Sequence, residues 1–127
     1  MSEAKISIQR VYEPLPEGGQ TGFLVDRLWP RGMSKERLAG VTWAKDVAPS
    51  TALRQWFHAT DYDPAQWDEF RRRYLAELDA NHDAWTPLVD ASRAGPIVLL
   101  YGSHDTEQNH ALVLRDYLMK KRARKPR

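Results

Sequence analysis

Polar and apolar residues alternate along residues 5–11, and a period of two is typical of a half-exposed strand. A second strand is predicted over 21–28, where an apolar run begins, and a third is predicted over 41–47. Residues 96–101, Pro-Ile-Val-Leu-Leu-Tyr, are apolar without interruption, as expected for a strand that is covered on both faces. These four segments therefore predict the strands of one sheet.

Helical periodicity marks the segments between the third and the last of these strands. Ser50 is a predicted N-cap, and the inward residues of the helix that follows it are Leu53, Trp56 and Phe57. Asp63 and Pro64 predict the start of the next helix. The inward stripe of that helix comprises Trp67, Phe70, Tyr74 and Leu78. A further helix is predicted across 81–93, with an interruption near Pro87.

Two more helices complete the pattern. A short one is predicted across 35–38, with Ser34 as its cap. The last helix is predicted to begin within 102–105, with Asp105 and Gln108 as a capping pair. Strands that alternate with helices predict an α/β fold, here a single compact domain with a mainly parallel central sheet flanked by helices.

The net charge is distributed unevenly along the chain. Of the 19 Lys and Arg residues, six fall within residues 120–127, which contain no acidic residue. Residues 1–119 therefore hold 13 basic and 17 acidic residues, a net charge of −4. We expect a folded domain over 1–119 and a disordered basic tail over 120–127 that is dispensable for folding. The tail offers phosphate contacts to nucleic acid, but its lack of an aromatic platform favours a solvated terminus.

Composition and residue spacing exclude several kinds of chemistry. With no cysteine, the chain has no disulfide, no catalytic thiolate and no thiolate-bound zinc. His58, His104 and His110 lack the spacing of metal ligands, so we predict no metal site and assign no cofactor. Ser103, His104 and Asp105 are adjacent in the chain and cannot form a hydrolase triad, whose members come from separate positions. No apolar run approaches a signal peptide or a membrane span, so we expect a cytoplasmic protein without a membrane partner.

Polar residues lie at or just beyond the carboxyl ends of three of the predicted strands. These residues are Asp26 and Arg27 at the end of the second strand and Arg31 after it, Lys45 and Asp46 at the end of the third, and His104, Asp105, Asn109 and His110 after the last. Because ligands bind beyond the carboxyl ends of the strands in open α/β sheets, we expect these side chains to share one cleft. In particular, Arg31, Lys45 and Asp105 are predicted to approach one another.

The residue types in this predicted cleft favour a small anionic or nucleotide-like ligand. Because arginine holds phosphate or carboxylate at two points, the predicted ligand-binding residues are Arg27, Arg31, Lys45, Arg54, His104 and Asn109. The candidates for acid–base catalysis are Asp26, Asp46, Asp105 and His110. These residues leave open whether a ligand is only bound or also transformed. Two alternatives stay open as well: a structural ion-pair network at the same positions, and an interaction module or nucleic-acid accessory that uses the basic tail.

Three motifs follow one another in the first half of the chain. They are Val-Asp-Arg-Leu-Trp-Pro-Arg-Gly at 25–32, Trp-Ala-Lys-Asp-Val-Ala-Pro-Ser at 43–50 and Leu-Arg-Gln-Trp-Phe at 53–57. Together with residues 70–78 and 99–114, they closely resemble the YeaO-like proteins of domain-of-unknown-function family 488. The resemblance covers about residues 5–118 and implies a compact α/β domain without an established activity. Relatives tend to carry a basic residue where this chain has His104.

Overall fold

The part of the chain that the structure describes forms a parallel sheet with helices packed against it. The computed structural model describes residues 6–14, 20–59, 64–103 and 109–123. The strands are β1 (Ile6–Arg10), β2 (Thr21–Leu24), β3 (Thr42–Trp43) and β4 (Ile97–Tyr101). The helices are α1 (Thr51–Ala59), α2 (Pro64–Asp79), α3 (His82–Ala94) and α4 (His110–Ala123). The predicted α/β class is confirmed.

The last strand in the sequence, β4, lies in the interior of the sheet. The strand order is β1-β4-β2-β3, and every pairing is parallel. Ile97 lies opposite Ile6 of β1 on one side and opposite Thr21 of β2 on the other. All five residues of β4 are buried, which confirms the prediction that this apolar run is covered on both faces.

The two faces of the sheet are covered in different ways. One face packs against all four helices, through Phe23, Ile97, Leu99 and Tyr101 of the sheet and residues such as Leu53, Tyr74, Leu88 and Leu114 of the helices. The other face packs against the segment 29–41, through Leu24, Val98 and Leu100 of the sheet and Trp29, Met33, Leu38 and Val41 of that segment. The helical layer therefore lies on one side, and an irregular segment covers the other.

The short helix predicted across 35–38 is a series of turns in the structure. Ser34 Oγ does accept a hydrogen bond from the Arg37 N–H at 3.1 Å, as a helix cap would. Gly32 and Gly40 have φ angles of +75° and +86°, in the left-handed region that interrupts a helix. A single turn between two such residues gains too few hydrogen bonds to offset the entropy of helix nucleation.

Both β2 and β3 are shorter than the sequence pattern predicts. The ladder extends one residue beyond each of them, because Val25 N–H donates to Leu100 O at 3.0 Å and Ala44 N–H donates to Leu24 O at 2.8 Å. Beyond these points the chain leaves the sheet, and Lys45–Val47 forms a 3-10 turn that buries Val47. The last residues of the two predicted strands thus lie in the loops at the carboxyl edge.

Two of the remaining helix predictions can be checked at particular residues. The start of α1 is as predicted, since Leu53 N–H donates to Ser50 Oγ at 3.1 Å. The predicted interruption near Pro87 is absent, and α3 continues through that residue. Packing of the buried side of α3 offsets the one hydrogen bond that proline removes. The predicted cap of α2, Asp63, lies outside the described residues.

Helix α4 begins later than the sequence pattern predicts. Its first residue is His110, and Asn109 is the cap, because Leu112 N–H donates to Asn109 Oδ1 at 3.0 Å. The predicted capping residues Asp105 and Gln108 lie outside the described residues. A buried asparagine directly before the helix satisfies one of the amides that a helix N-terminus leaves without a partner.

The carboxyl end of α4 includes part of the segment that we expected to be a tail. The helix continues to Ala123. Lys121 Nζ lies 5.6 Å from the centre of the Trp85 ring and 5.1 Å from that of Tyr117, so cation–π contacts hold this basic residue against the domain. The first four residues of the predicted tail are therefore helical, and residues 124–127 lie outside the described part of the chain.

Candidate functional site

Asp26 lies directly beyond β2, where the chain leaves the sheet. Its Oδ2 accepts a hydrogen bond from Gly102 N–H at 2.8 Å. The imidazole Nε2 of His110 lies 2.9 Å from the carbonyl oxygen of Val25 and 3.1 Å from Asp26 Oδ1. Because a carbonyl oxygen only accepts hydrogen bonds, His110 Nε2 carries a hydrogen that points to Val25. Asp26 Oδ1 is buried, and none of the described residues donates a hydrogen bond to it.

Gly102 lies very close to this carboxylate. A Cβ atom at position 102 would lie 2.9 Å from Asp26 Oδ2, which is shorter than a normal contact. The same geometry brings the Gly102 N–H within hydrogen-bond distance of the carboxylate. The glycine after β4 therefore connects the end of that strand to the residue that follows β2, as expected of two neighbouring parallel strands.

The first two sequence motifs hold each other in place at the carboxyl edge of the sheet. The Trp43 indole N–H donates to the carbonyl oxygen of Asp26 at 2.7 Å. Arg27 donates from Nε to the carbonyl oxygen of Pro49 and from Nη2 to that of Ala48, both at 3.1 Å. Arg27, which the sequence assigns to ligand binding, thus supports the loop that leads into α1. Arg27 is also one of the residues that line the cavity described next, so its charge lies near the site.

A cavity of about 590 Å³ lies against these residues. Its polar lining residues are Asp26, Arg27, Arg31, Arg54, Ser103, Asn109 and His110. Its other lining residues are Tyr12, Leu28, Trp29, Pro30, Ala48, Pro49, Phe57, Trp67, Phe70 and Gly102. Both the volume and the mixture of an apolar wall with a few polar groups are typical of small-molecule sites.

Arg31 and Arg54 differ from Arg27 in having no partner within the described chain. Both side chains line the cavity, and both residues are exposed. Neither guanidinium forms an ion pair or a hydrogen bond with the residues that the structure describes. The backbone around Arg31 is nevertheless held, since the Tyr12 hydroxyl donates to the Arg31 carbonyl oxygen at 2.9 Å. The loop is thus fixed while the cationic end of Arg31 is available to a ligand.

Other predicted site residues lie elsewhere or outside the described residues. Lys45 and Asp46 are at the same edge of the sheet but do not line the cavity. Lys45 Nζ lies 5.4 Å from the centre of the Trp43 ring, and the Asp46 carbonyl oxygen accepts a hydrogen bond from Asn81 Nδ2 at 2.8 Å. His104 and Asp105 fall outside the described residues, so the expected approach of Arg31, Lys45 and Asp105 stays a prediction.

An aromatic wall, formed by Phe57, Trp67 and Phe70, is a part of the cavity that sequence reasoning missed. The Trp67 and Phe70 rings are stacked with centres 5.5 Å apart, and Phe57 lies 4.6 Å from Phe70. The sequence assigns these residues to the inward stripes of α1 and α2. Their spacing is the same whether the stripe meets the core or lines a cavity, so no local signal distinguishes the two.

Tyr74 lies beneath His110 and belongs to the core rather than to the cavity. Its ring meets that of His110 edge to face, with centres 6.4 Å apart. Its hydroxyl donates to the carbonyl oxygen of Val47. Burial raises the pKa of Tyr74 well above its usual value, and the nearby charge of Glu77 acts in the same direction. Tyr74 therefore stays neutral and serves as a hydrogen-bond donor.

The described ranges contain neither a metal site nor a membrane-spanning helix. Residues 6–14, 20–59, 64–103 and 109–123 contain no group of three or more His, Asp or Glu side chains placed to hold a metal ion. Across the same residues, none of the helices has the length and apolar character needed to cross a membrane.

The fold and the cavity together define a small α/β protein with a ligand-sized cleft at the carboxyl edge of a parallel sheet. The chain belongs to the DUF488 family: the family model described as "Inactive DUF488-N3 subclade" matches residues 5–126. It is 45% identical over 113 residues to "Uncharacterized protein YeaO" of Escherichia coli, covering 89% of this chain and 96% of that protein. It is 37% identical over 119 residues to "Uncharacterized protein Rv3073c" of Mycobacterium tuberculosis, covering 91% and 95%. No solved structure matches the chain.

Proposed function

We propose that this protein binds a small anionic or nucleotide-like ligand in the cavity at the carboxyl edge of the sheet. The observation that carries the proposal is the pair Arg31 and Arg54, which line the cavity without a partner among the described residues. Arginine side chains without a carboxylate partner are suited to holding phosphate or carboxylate groups at two points.

The charge of the cavity also supports an anionic ligand. The described lining residues include three arginines and one aspartate. Residues 1–119 carry a net charge of −4, so the positive charge of the cavity is a local feature. A concave site with an excess of positive charge concentrates anionic ligands. Arg27 contributes to this field although its hydrogen bonds go to backbone carbonyl groups.

Binding without chemistry has more support than catalysis. The His110 Nε2–H points to a carbonyl oxygen, and Gly102 N–H occupies Asp26 Oδ2. The His110 Nε2–H and one of the two Asp26 oxygens are thus engaged within the fold, and a general acid or base must instead reach a proton of the substrate. The description of the matching family model as an inactive subclade agrees with a binding protein.

The nucleic-acid alternative has less support from the placement of the basic residues. Helix α4 starts at the cavity with His110 and ends at Ala123. At 1.5 Å per residue, its 14 residues extend about 21 Å. The cations near its carboxyl end therefore lie far from the cavity, and one of them, Lys121, contacts Trp85.

Binding of simple anions to arginine variants tests the proposal. Thermal denaturation of the full chain is followed with phosphate, citrate, ribose 5-phosphate and the four ribonucleoside monophosphates, and affinities are measured by calorimetry. A ligand that binds the folded state raises the melting temperature by mass action. We expect Arg31→Gln and Arg54→Gln each to weaken binding about tenfold, or about 1.4 kcal/mol.

Arg71→Gln is the matched control, because Arg71 is an exposed arginine of α2 that does not line the cavity. This variant is expected to bind as the wild type does. The proposal is wrong if none of these anions raises the melting temperature, or if the Arg31 and Arg54 variants retain the affinity of the control.

A further inference from the structure

We propose that Asp26 and the aromatic wall restrict the ligand to a free mononucleotide, that is, a planar heterocycle with hydrogen-bond donors and a phosphate. This inference rests on the proposed function, because it assumes that the cavity binds an anion. It goes beyond that function by specifying the part of the ligand that is not the anionic group. Two features that an anion alone does not explain support it: a buried carboxylate oxygen and three aromatic rings.

The carboxylate oxygen requires a donor. Asp26 Oδ1 is buried and accepts no hydrogen bond from the described residues. It lies 3.1 Å from His110 Nε2, but the hydrogen there points to the Val25 carbonyl oxygen. A buried acceptor without a donor costs free energy, and so does a second anion beside it. A ligand N–H or O–H group that reaches Oδ1 removes the first cost, whereas an acceptor-only anion such as sulfate adds to the second.

The aromatic wall suits a flat ring. Phe57 and Trp67 are half-buried and line the cavity together with Phe70. Aromatic side chains bind nucleobases by stacking, which is tolerant of base identity. A wall of aliphatic side chains would fill the same space without this preference. The wall therefore favours a planar heterocycle over a sugar phosphate, and the carboxylate requires in addition that the ligand carry a hydrogen-bond donor.

The size of the cavity favours a free mononucleotide over a nucleic-acid chain. Its volume of about 590 Å³ is in the range of sites for single small molecules. Binding along a nucleic-acid strand generally uses a basic groove that follows several phosphates. In the described residues, the cations of the cavity are Arg27, Arg31 and Arg54, gathered around one pocket.

The test compares ligands that differ in one part. The probes are inorganic phosphate, ribose 5-phosphate, the four ribonucleoside monophosphates and a single-stranded tetranucleotide, titrated against the full chain by calorimetry. We expect at least one monophosphate to bind about tenfold or more tightly than ribose 5-phosphate and more tightly than the tetranucleotide. Equal binding of ribose 5-phosphate and the monophosphates, or tighter binding of the tetranucleotide, would contradict the inference.

Two variants test which residues cause the preference for a nucleoside monophosphate over ribose 5-phosphate. Asp26→Asn keeps the size of the side chain and an acceptor for Gly102 N–H, but it exchanges the acceptor Oδ1 for a donor. It is expected to weaken monophosphate binding about tenfold while ribose 5-phosphate binds as tightly as before or more tightly. Trp67→Leu removes a stacking ring and is expected to abolish the preference for a monophosphate over ribose 5-phosphate. This second variant keeps the test decisive if the Asp26 variant does not fold.

The outcomes for this inference and for the proposed function are distinguishable. If both variants keep the wild-type ratio of monophosphate to ribose 5-phosphate affinity while Arg31→Gln weakens every anion, the cavity binds anions but does not select a mononucleotide. If Arg31→Gln also has no effect on any anion, the proposed function fails as well.

Discussion

Replacing Arg27 by methionine tests whether this arginine supports the fold rather than the ligand. Its guanidinium donates to the carbonyl oxygens of Ala48 and Pro49, both at 3.1 Å. A hydrogen bond from a charged donor contributes about 1.5–3 kcal/mol. Because the two bonds share one partly buried donor group, they do not add fully, and we expect a loss of about 2–4 kcal/mol. Methionine keeps the aliphatic part of the side chain, so packing is affected less than with alanine.

Urea denaturation followed by tryptophan fluorescence measures this loss. For small proteins the free energy of unfolding falls by about 1–3 kcal/mol per molar urea, so the midpoint for Arg27→Met is expected to fall by about 1–2 M. Arg31→Met is the matched control in the same motif. Its guanidinium has no partner among the described residues. The free energy of unfolding of Arg31→Met should therefore differ from that of the wild type by less than about 0.5 kcal/mol.

Arg27→Lys extends the test to geometry. Lysine keeps the charge but lacks the planar fork that reaches two carbonyl oxygens at once. We expect it to recover less than half of the stability lost in Arg27→Met. If Arg27→Met unfolds at the same urea concentration as Arg31→Met, the contacts with Ala48 and Pro49 do not support the fold. Arg27 would then return to the set of ligand-binding candidates.

Two further predictions concern other parts of the molecule. Gly102→Ala places a Cβ 2.9 Å from Asp26 Oδ2 and is expected to destabilise the protein by about 1–3 kcal/mol. Gly95→Ala is the control, because its added Cβ has no neighbour within 4 Å and φ is 173°, which is extended backbone. It should change the urea midpoint little. Equal losses of stability in the two variants would contradict the close contact at Gly102. The pKa of Glu69 is lowered from its usual 4.5 to about 2, because two arginines of α2 donate hydrogen bonds to its carboxylate. The stabilisation from this depressed pKa is present above pH 4.5 and is lost as the pH falls through about 2; an NMR titration midpoint near 4.5 would show that these contacts do not persist in solution.

Several properties of the fold could be predicted from the sequence because they depend on local patterns. The uninterrupted apolar run at 97–101 predicts an interior strand, and β4 is that strand. The cap at Ser50 was visible in the same way, since a helix cap involves neighbours in the chain. Nothing local, however, predicts that Glu77 of α2 accepts both the N–H and the hydroxyl of Ser50, at 2.8 and 2.6 Å.

The boundaries at the carboxyl edge were predicted less well for a physical reason. Val25 and Leu28 continue the apolar character of β2 on either side of Asp26 and Arg27, so the sequence pattern extends the strand to residue 28. The backbone of Asp26 instead bonds to the Trp43 indole, which comes from a distant part of the chain. A long-range hydrogen bond therefore overrides the local preference.

The sequence by itself determined that this chain has a parallel α/β sheet with charged residues at its carboxyl edge, because alternation, periodicity and caps are written in neighbouring positions. Only the tertiary structure decided which of those charges are available to a ligand. Arg27 and Arg31 lie four residues apart in one motif, yet Arg27 bonds to carbonyl groups 21 and 22 positions away and Arg31 lines the cavity without a partner in the described chain. The difference depends on where distant backbone groups come to lie, and that position is set by the packing of whole elements rather than by the residue or its neighbours.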